Sequence, residues 1–525
     1  MMKKISYLLI FSILISLSAN SQPWVPDLKN GKFKNPIIYA DYSDVDIIRS
    51  GDDFFMIASS FNCTPGIPVL QSKDLVNWTI VNYVYQNLPL ERYNKPVHGE
   101  GSWAPSITYH NHKFYIYFCT PHDGLFLATT DDPRHEWKLQ LIEAVDLWED
   151  PCPVWDDNGN TYMIHSKLCG NELYLNKLSE DGTHLLDNGT LIYKDAKQPT
   201  IEGPKFLKKD GYYYILAPAG GVTKGWQSVL RSKNIYGPYE SKIVMHTGNT
   251  NVNGPHQGGL VELKSGEWWF VHFQSKSAYG RIIHLQPVKW ENGWPMMGVD
   301  TNGDDVGEPV AEFIKPNVGN QYPIQNPQTS DEFNDSKLGL QWQWHANQQK
   351  EWYSFRDNPG QLRLFAVKNY SQNGNFWMVP NLLMQKFPAP AFSATTKVTF
   401  KGDLAGEKCG LTIMGVSWAY LALSKTETGI QIGSYEGKYM QCEDKTEQTE
   451  TSLLNTNTCY LRVMVNDSSI CHFSYSLDNK TFTNIGKDFK AEAGKWIGAK
   501  VGLFCINPNV SESKGYADFD WFKLE

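Results

Sequence analysis

A short hairpin pattern recurs five times in the first three-fifths of the chain, and it constrains the fold more than any other feature. In each copy a turn of Gly, Asn, Asp or Ser precedes a run of aromatic and β-branched residues, as in two strands joined by a tight turn. The five copies start at Gly51, Asn111, Asn158, Asp210 and Ser265. Their spacing of roughly 45–60 residues is typical of propeller blades built from four short strands. The pattern therefore predicts a five-bladed β-propeller.

The whole chain divides into four segments, and we expect an all-β protein. A positively charged start, a short apolar run and small residues in 1–21 indicate a signal peptide. We assign 22–315 to the propeller and 316–330, rich in Pro and Asn, to a linker. Residues 331–525 show alternating strand patterns and are expected to form a β-sandwich of jelly-roll or concanavalin-like type.

Composition narrows the class of partner. The signal peptide predicts an exported protein, periplasmic or secreted, and no later apolar stretch is long enough to cross a membrane. The net charge of −8 and the lack of a basic cluster argue against nucleic acid. The 18 Trp, 27 Tyr and 25 Phe favour a carbohydrate partner, although most of these rings are expected in the cores. The nine cysteines show no zinc-site spacing.

Five residues stand at comparable distances, seven to ten positions, before the five turns. They are Asp44, Trp103, Asp150, Glu202 and His256. The first strand of each propeller blade lines the central channel, so equivalent positions on five blades converge at one end of it. Three carboxyls, a tryptophan and a histidine are therefore predicted to form one site.

Two carboxyls on opposite sides of a sugar are the minimum for hydrolysis of a glycosidic bond, one as acid and one as base or nucleophile. Glu202 lies in a short apolar segment, where partial desolvation raises the pKa of a carboxyl and suits a general acid. Asp44 is the candidate base; strand alternation excludes Asp41 but leaves Asp46 on the same face as Asp44. Asp150 is a third carboxyl whose negative charge would raise the pKa of the acid.

The propeller segment resembles glycoside hydrolase family 43. The matching segments, in order, are residues 35–36, 43–53, 65–68, 72–78, 103–105, 150–151, 202–204 and 254–258. The resemblance implies a five-bladed, inverting enzyme that releases arabinose or xylose units from plant polysaccharides. It also implies that Asp44 is the general base, Asp150 the pKa modulator and positioning residue, and Glu202 the general acid. Val45 departs from the family pattern, where many members carry Pro, but it leaves the neighbouring carboxyl in place.

The same resemblance extends to further site residues. It places Arg281 near the terminal sugar, with a structural ion pair as the alternative, and Phe61 and Trp103 as apolar walls, with packing as the alternative. His256 matches a channel histidine that holds a calcium ion or a water, or else is a hydrogen-bonded core histidine. No cofactor is required, and a structural calcium ion is the one metal that the resemblance adds.

The last part of the chain resembles the sandwich of two-domain xylosidase and arabinofuranosidase members, at residues 331–333, 338–344 and 518–522. In such relatives the sandwich packs on the propeller and narrows the pocket mouth, which favours exo action. We therefore expect an exo-acting, inverting α-L-arabinofuranosidase acting on plant hemicellulose oligosaccharides. A β-D-xylosidase, or an enzyme of dual specificity, is the alternative.

Two other functions remain as alternatives. One is a retaining, fructan-cleaving hydrolase, which would carry Asn-Asp-Pro and Arg-Asp-Pro; here the corresponding triplets begin at Ser43 and Glu149 and read Ser-Asp-Val and Glu-Asp-Pro, which counts against it. The other is a non-catalytic sugar-binding propeller, which the presence of all three carboxyls disfavours.

Overall fold

The computed structural model describes residues 22–168, 170–368, 375–439, 446–509 and 511–525. The predicted signal peptide, like Cys169 and Cys442, lies outside these ranges, and the other seven cysteines are buried and unpaired. Strands and short 3₁₀ turns are the regular elements of the described chain, so the all-β prediction is confirmed. In the same ranges no helix is long and apolar enough to cross a membrane.

Five four-stranded antiparallel sheets follow one another along the chain as the blades of the propeller. A short strand, β1 (Lys32–Lys34), precedes them. Blades 1 and 2 contain β2 (Asp46–Ser50), β3 (Asp53–Ile57), β4 (Gly66–Ser72), β5 (Trp78–Tyr85), β6 (Trp103–His110), β7 (Lys113–Thr120), β8 (Gly124–Thr130) and β9 (Lys138–Glu143). Blades 3 to 5 contain β10 (Trp148–Trp155), β11 (Thr161–Lys167), β12 (Glu172–Leu178), β13 (Thr190–Lys194), β14 (Lys205–Lys209), β15 (Tyr212–Ala219), β16 (Trp226–Ser232), β17 (Glu240–Met245), β18 (His256–Glu262), β19 (Trp268–Ser275), β20 (Arg281–Glu291) and β21 (Trp294–Met297).

The five predicted hairpins join the first and second strands of the five blades. In blade 4, for example, Lys209 pairs with Tyr212 across the turn Asp210–Gly211, and Gly211 has a φ of 76°, which a residue without a Cβ adopts at little cost. Within every blade each strand pairs with its neighbour in sequence. The prediction of a five-bladed propeller is therefore confirmed.

The propeller ring closes through its two chain ends. Strand β1 pairs with β22 (Glu312–Ile314), and Phe33 lies opposite Phe313. The Asn35 side chain donates to the carbonyls of Leu285 (2.8 Å) and Val310 (2.9 Å), and its oxygen accepts from Leu285 N. These bonds fasten the segment before blade 1 to blade 5 and to the segment before β22.

No regular strand forms in the predicted linker, 316–330, but the segment is tied to blade 1. The Gln328 amide donates to Ile80 O (3.2 Å) and accepts from Ile80 N (3.3 Å) on β5, the outermost strand of that blade. The side chain thus replaces a neighbouring strand and satisfies the open edge.

The C-terminal domain is a sandwich of two sheets. Its strands are β23 (Gln343–Trp344), β24 (Tyr353–Ser354), β25 (Leu362–Phe365), β26 (Val367–Lys368), β27 (Leu383–Lys386), β28 (Phe392–Lys401), β29 (Lys408–Met414), β30 (Ser417–Lys425), β31 (Ile430–Lys438), β32 (Thr446–Leu454), β33 (Thr458–Val465), β34 (Ile470–Ser476), β35 (Thr483–Asn484), β36 (Phe489–Lys490), β37 (Lys500–Asn507) and β38 (Tyr516–Leu524). One sheet has the order β23-β27-β37-β29-β30-β31-β32 with β26 beside β37, and the other has β24-β25-β38-β28-β33-β34-β35 with β36 beside β34. The inner faces pack into one apolar core, as the alternating strand patterns predicted.

The two domains share that core. Ala278 and Tyr279 of blade 5 are buried among the sandwich side chains, and Trp344 N of β23 donates to Thr64 O of blade 1. The short 3₁₀ turn Ser277–Tyr279 is therefore embedded in the sandwich. The sandwich lies beside the same end of the propeller at which the carboxyls gather.

Candidate active site

A pocket opens at the end of the channel where the first strands of the blades begin. It is lined by Asp44, Phe61, Trp103, Ala104, Glu149, Asp150, Leu168, Glu202, Val222, Gln257, Arg281 and Trp496. Six of the seven residues predicted for the site line it, and the seventh, His256, contacts Glu202 behind the wall. Asp44 and Glu202 lie in the segments just before β2 and β14, whereas Trp103 and His256 begin their strands and Asp150 lies within β10.

Asp44 is held rigidly at the wall of blade 1. Its carboxylate is buried, accepts a hydrogen bond from Ser59 Oγ (2.7 Å) and forms an ion pair with the Arg281 guanidinium. Its backbone has a φ of 55°, in the left-handed region, which turns the side chain out of the strand that follows. A carboxylate fixed by two donors in this way keeps one orientation toward the pocket.

Asp150 lies at a bulge in β10, between Glu149 and Cys152. Its Oδ2 accepts from Ser166 Oγ (2.8 Å) and Gly203 N (2.8 Å), and its Oδ1 accepts from the Gln257 amide (3.2 Å). Burial, and after it the negative charge of Glu202, raise the pKa of Asp150 to about 6. The charge of Glu202 therefore acts on Asp150, and the reverse effect, a raised pKa of Glu202 caused by Asp150, stays a prediction.

Glu202 is the most accessible of the three carboxyls, with 27% of its side chain exposed. Its backbone N donates to Pro218 O (3.1 Å), and its Oε1 bonds to His256 Nε2 (2.7 Å). Burial pushes the pKa of Glu202 upward, but the hydrogen bond and charge of His256, together with the charge of Arg281, outweigh burial and hold the pKa below its usual value. The expectation of a raised pKa at Glu202 is thus wrong for the free protein, because the sequence did not reveal the histidine contact.

His256 is fully buried, and its Nδ1 has no hydrogen-bond partner among the described residues. Within the described ranges no three His, Cys, Asp or Glu side chains lie close enough together to share a metal ion. Calcium ligands in proteins include waters and carbonyl oxygens as well as carboxylates. The calcium ion expected at His256 therefore stays a prediction, and the contact that the structure assigns to this ring is with Glu202.

A buried ion pair joins three blades outside the pocket lining. Lys205 of β14 reaches across to blades 1 and 2, where its ammonium lies 3.7 Å from Asp46 Oδ2 and donates to Pro105 O (3.0 Å). Asp46 also accepts from the backbone N of Ile107 (2.9 Å). Asp46, which strand alternation placed on the same face as Asp44, is therefore the buried partner of Lys205, and Asp44 is the carboxyl that lines the pocket.

Aromatic rings form one wall and the mouth. Phe61 and Trp103 meet edge to face with ring centroids 6.2 Å apart, and Trp103 meets Trp496 in the same way at 6.1 Å. Trp496 comes from the sandwich, in the loop between β36 and β37, and 51% of it is exposed. The second domain thus supplies part of the pocket mouth.

Several residues of the site escaped the sequence prediction, and four of them have contacts that define a role. Ser59 and Ser166 lie 15 and 16 residues after the carboxylates that they bond, so a blade alignment extended to the second strands could have found them. Gln257 follows His256 directly and was noticed only as part of a matching segment. Trp496 carries no sequence signal, because only the packing of the sandwich brings it to the propeller.

Comparison with known proteins agrees with this geometry. The family model described as glycosyl hydrolases family 43 matches residues 33–295, and the model described as beta xylosidase C-terminal concanavalin A-like domain matches residues 330–525. A putative beta-xylosidase of Xylanibacter ruminicola is 39% identical over 91% of this chain and 86% of its own length. The chain belongs to glycosyl hydrolase family 43.

Other family 43 proteins are similar over nearly the whole chain. A beta-xylosidase of Formosa agariphila is 32% identical over 99% of this chain and 97% of its own length. A non-reducing end alpha-L-arabinofuranosidase of Bacteroides ovatus is 28% identical over 93% and 94%. The similarity to both relatives covers the propeller and the sandwich of this family 43 chain, but the names of the two relatives give different sugars.

Solved structures share the fold. A family 43 protein of Bacillus licheniformis superposes with a TM-score of 0.83 at 25% identity, over 94% of this chain and 99% of that one. A longer, bifunctional GH43-CE protein of Bacteroides eggerthii also gives 0.83 at 28% identity, and this chain spans 63% of its length. The pairing of propeller and sandwich is therefore common to this family 43 glycosidase and to solved structures.

Proposed function

We propose that this glycosidase is an exo-acting, inverting enzyme that removes terminal pentose units from hemicellulose oligosaccharides, with β-D-xylose as the first candidate sugar. The observation that carries the proposal is a pocket with three carboxyls at its wall and Trp496 of the sandwich at its mouth. A pocket lined by both domains favours the end of a chain over an internal segment.

The proposed chemistry needs one acid and one base. Glu202 protonates the oxygen of the leaving sugar, while Asp44 removes a proton from a water that attacks the anomeric carbon from the opposite face. Ser59 and Arg281 hold Asp44 in place for this step. A sugar bound against Glu202 displaces water, which strengthens the effect of burial and favours the protonated, donating form of this acid.

Support for inversion comes from the placement of the two carboxyls. Asp44 belongs to blade 1 and Glu202 to blade 4, so they face each other across the channel. Inverting glycosidases separate their carboxyls by roughly 6.5–9.5 Å to admit a water, against about 5–5.5 Å in retaining ones. Opposite placement on the ring favours the wider gap.

The choice of sugar rests on the relatives. The sequence placed arabinofuranose first, but the two relatives at 39% and 32% identity are named xylosidases and the one named arabinofuranosidase is 28% identical. We therefore place β-D-xylose first and keep α-L-arabinofuranose as the second candidate. The signal-like start of the chain supports export, where such oligosaccharides are met.

The test is a comparison of xylobiose, a longer xylo-oligosaccharide, an arabinofuranosyl oligosaccharide and xylan blocked at its non-reducing ends. We expect xylose as the first product, the highest kcat/KM on the short xylo-oligosaccharides and no cleavage of the blocked polymer. The variant Glu202→Gln, which keeps the shape of the acid but has no proton to donate, is the control for contaminating activity. Turnover of the arabinofuranosyl substrate alone would move the assignment to the second candidate, and cleavage within blocked xylan would contradict exo action.

A further inference from the structure

Asp41 has no part in the pocket, yet it joins the two domains beside it. Its carboxylate is 3% exposed, and each oxygen accepts one backbone N–H from a different domain. Oδ1 accepts from Arg281 N of blade 5 (2.8 Å), and Oδ2 accepts from Gly498 N of the sandwich (2.9 Å). A buried carboxylate of this kind loses much more than a surface group when one of its donors is lost.

Two glycines allow the backbones to meet at this carboxylate. A Cβ on Gly280 would lie 2.3 Å from Asp41 Oδ1 and 2.7 Å from Gly498 N. A Cβ on Gly498 would lie 2.8 Å from Gly280 N. Any larger residue at either position would push the sandwich loop away from the propeller. We call Asp41, Gly280 and Gly498 the clasp.

The contact of Asp41 Oδ1 with Arg281 connects the clasp to the proposed base. Arg281, whose backbone N is bound by Asp41, forms the ion pair with Asp44. The turn before Arg281 is also fixed from the sandwich side, because the Tyr279 hydroxyl bonds to Pro390 O (2.6 Å) and Ala499 N donates to Ala278 O (2.7 Å). The position of the guanidinium therefore depends on contacts with the second domain.

The contact of Asp41 Oδ2 with Gly498 connects the clasp to the pocket mouth. Trp496 precedes Gly498 by two residues and has a φ of 65°, a left-handed conformation that is costly for a bulky residue and persists only where the surroundings hold it. Its ring packs against the backbone of Gly99, where an added Cβ would lie 3.3 Å from Trp496 Cδ1, and against Trp103. Release of the loop at Gly498 would let Trp496 leave the mouth.

We propose that Asp41 is a positioning residue through which the sandwich sets the leaving-group side of the pocket, by holding Trp496 over the second sugar of a β-linked pentose disaccharide. The proposal rests on the proposed function for its substrate, whereas the clasp itself is a statement about the protein alone. A terminal sugar without a second ring makes no use of Trp496, so the clasp distinguishes oligosaccharides from simple glycosides.

The experiment uses the full chain with Asp41→Asn, Trp496→Ala and the double variant. An asparagine accepts only one of the two N–H groups and presents its own N–H₂ to the other. We expect faster amide hydrogen exchange across residues 491–499 in Asp41→Asn. Any loss through Arg281 and Asp44 should lower kcat equally on both substrates, because the base serves both. The loss of Trp496 should appear in KM instead, with a rise of about tenfold for xylobiose and of less than about twofold for methyl β-D-xyloside. In the double variant the KM for xylobiose should exceed that of the worse single variant only slightly, because both changes remove the same contact.

Asp74→Asn is the matched control. Asp74 is 1% exposed and accepts the backbone N–H groups of Val76 (3.0 Å) and Asn77 (2.8 Å), but it lies outside the pocket. This variant should lose stability without changing the ratio of the two KM values. If Asp41→Asn does not fold, Gly498→Ala is the substitute, because the added methyl group would collide with Gly280 N and displace the same loop. This variant should show the same faster exchange and the same selective rise in KM for xylobiose.

Two results would overturn the proposal. Unchanged exchange across 491–499 in Asp41→Asn would mean that the carboxylate does not hold the loop. Equal rises in KM for the disaccharide and the methyl glycoside, or additive effects of Asp41→Asn and Trp496→Ala, would leave Asp41 with a structural role only. A wild type that is inactive on every pentoside would contradict the proposed function. The role of the clasp would still be tested, because the hydrogen-exchange measurement needs no substrate.

Discussion

Replacement of Asp150 by asparagine isolates its charge from its shape. The asparagine oxygen can still accept from Ser166 and Gly203, and a flip of the Gln257 amide lets its oxygen accept from the new N–H₂. The hydrogen-bond pattern around the site is therefore retained. What is lost is a negative charge beside Glu202.

The structure sets the size of the effect. Burial raises the pKa of Asp150 from 3.8 to about 6, with the charge of Glu202 as the second cause. That rise corresponds to roughly 3 kcal/mol against ionisation of Asp150 in the folded protein. Coupling between two charges is reciprocal, so removal of the Asp150 charge makes ionisation of Glu202 easier. We expect the alkaline limb of kcat, which reports the pKa of Glu202 in the substrate complex, to move down by about 1 pH unit.

The raised pKa of Asp150 also makes the stability of the folded protein depend on pH. Because the pKa of Asp150 is higher in the folded protein than in the unfolded chain, the wild type loses stability as pH rises from 3.8 to about 6. Asparagine at this position has no proton to lose. The free energy of unfolding of the variant should therefore rise relative to that of the wild type across that window, by up to about 3 kcal/mol. The difference should persist at higher pH.

The assay is a pH profile of kcat between pH 4 and 9 at saturating xylobiose, with urea unfolding at the same pH values. A fixed alkaline limb with a lower plateau would mean that Asp150 positions substrate and does not tune the acid. A limb that moves upward would refute the electrostatic reasoning altogether.

Three further predictions follow from the site. Glu202→Ala should lower kcat on a disaccharide by roughly 10²–10⁴-fold and be partly rescued on an aryl xyloside with a good leaving group, whereas Asp44→Ala should be equally impaired on both; equal residual rates for both variants would contradict the roles. Lys205→Met leaves Asp46 buried without its cation and should cost about 3–5 kcal/mol in urea unfolding at pH 7. That cost should shrink on acidification, because burial raises the pKa of Asp46 and the carboxyl becomes neutral; a constant cost would contradict the pairing. Proton NMR of the first product should show the inverted anomer, and early appearance of the retained anomer would remove the base role from Asp44.

The architecture was readable from the sequence because its determinants are local. Turn chemistry such as Asp210–Gly211 acts within four residues, and its fivefold recurrence implies blades of one kind. Equivalent positions on equivalent blades then bring Asp44, Asp150 and Glu202 to one end of the channel without knowledge of any contact. The alternating pattern of the last strand, β38, likewise specifies a strand with one buried face.

Strand periodicity has a limit, because it identifies a face and not a depth. Asp44 and Asp46 share a face by alternation, yet Asp44 lines the pocket and Asp46 pairs with Lys205 outside the pocket lining. The partner that separates their roles comes from a blade far along the chain. No local pattern carries that information.

The sequence by itself determined the strands, the blade count and the three carboxyls, because turns and alternation are properties of neighbouring residues. Only the tertiary structure decided the environment of each group. His256 reverses the expected direction of the pKa at Glu202, and Asp41 and Trp496 act through contacts between domains. Such effects depend on distances of a few ångströms between residues hundreds of positions apart, and these distances exist only after the chain has folded.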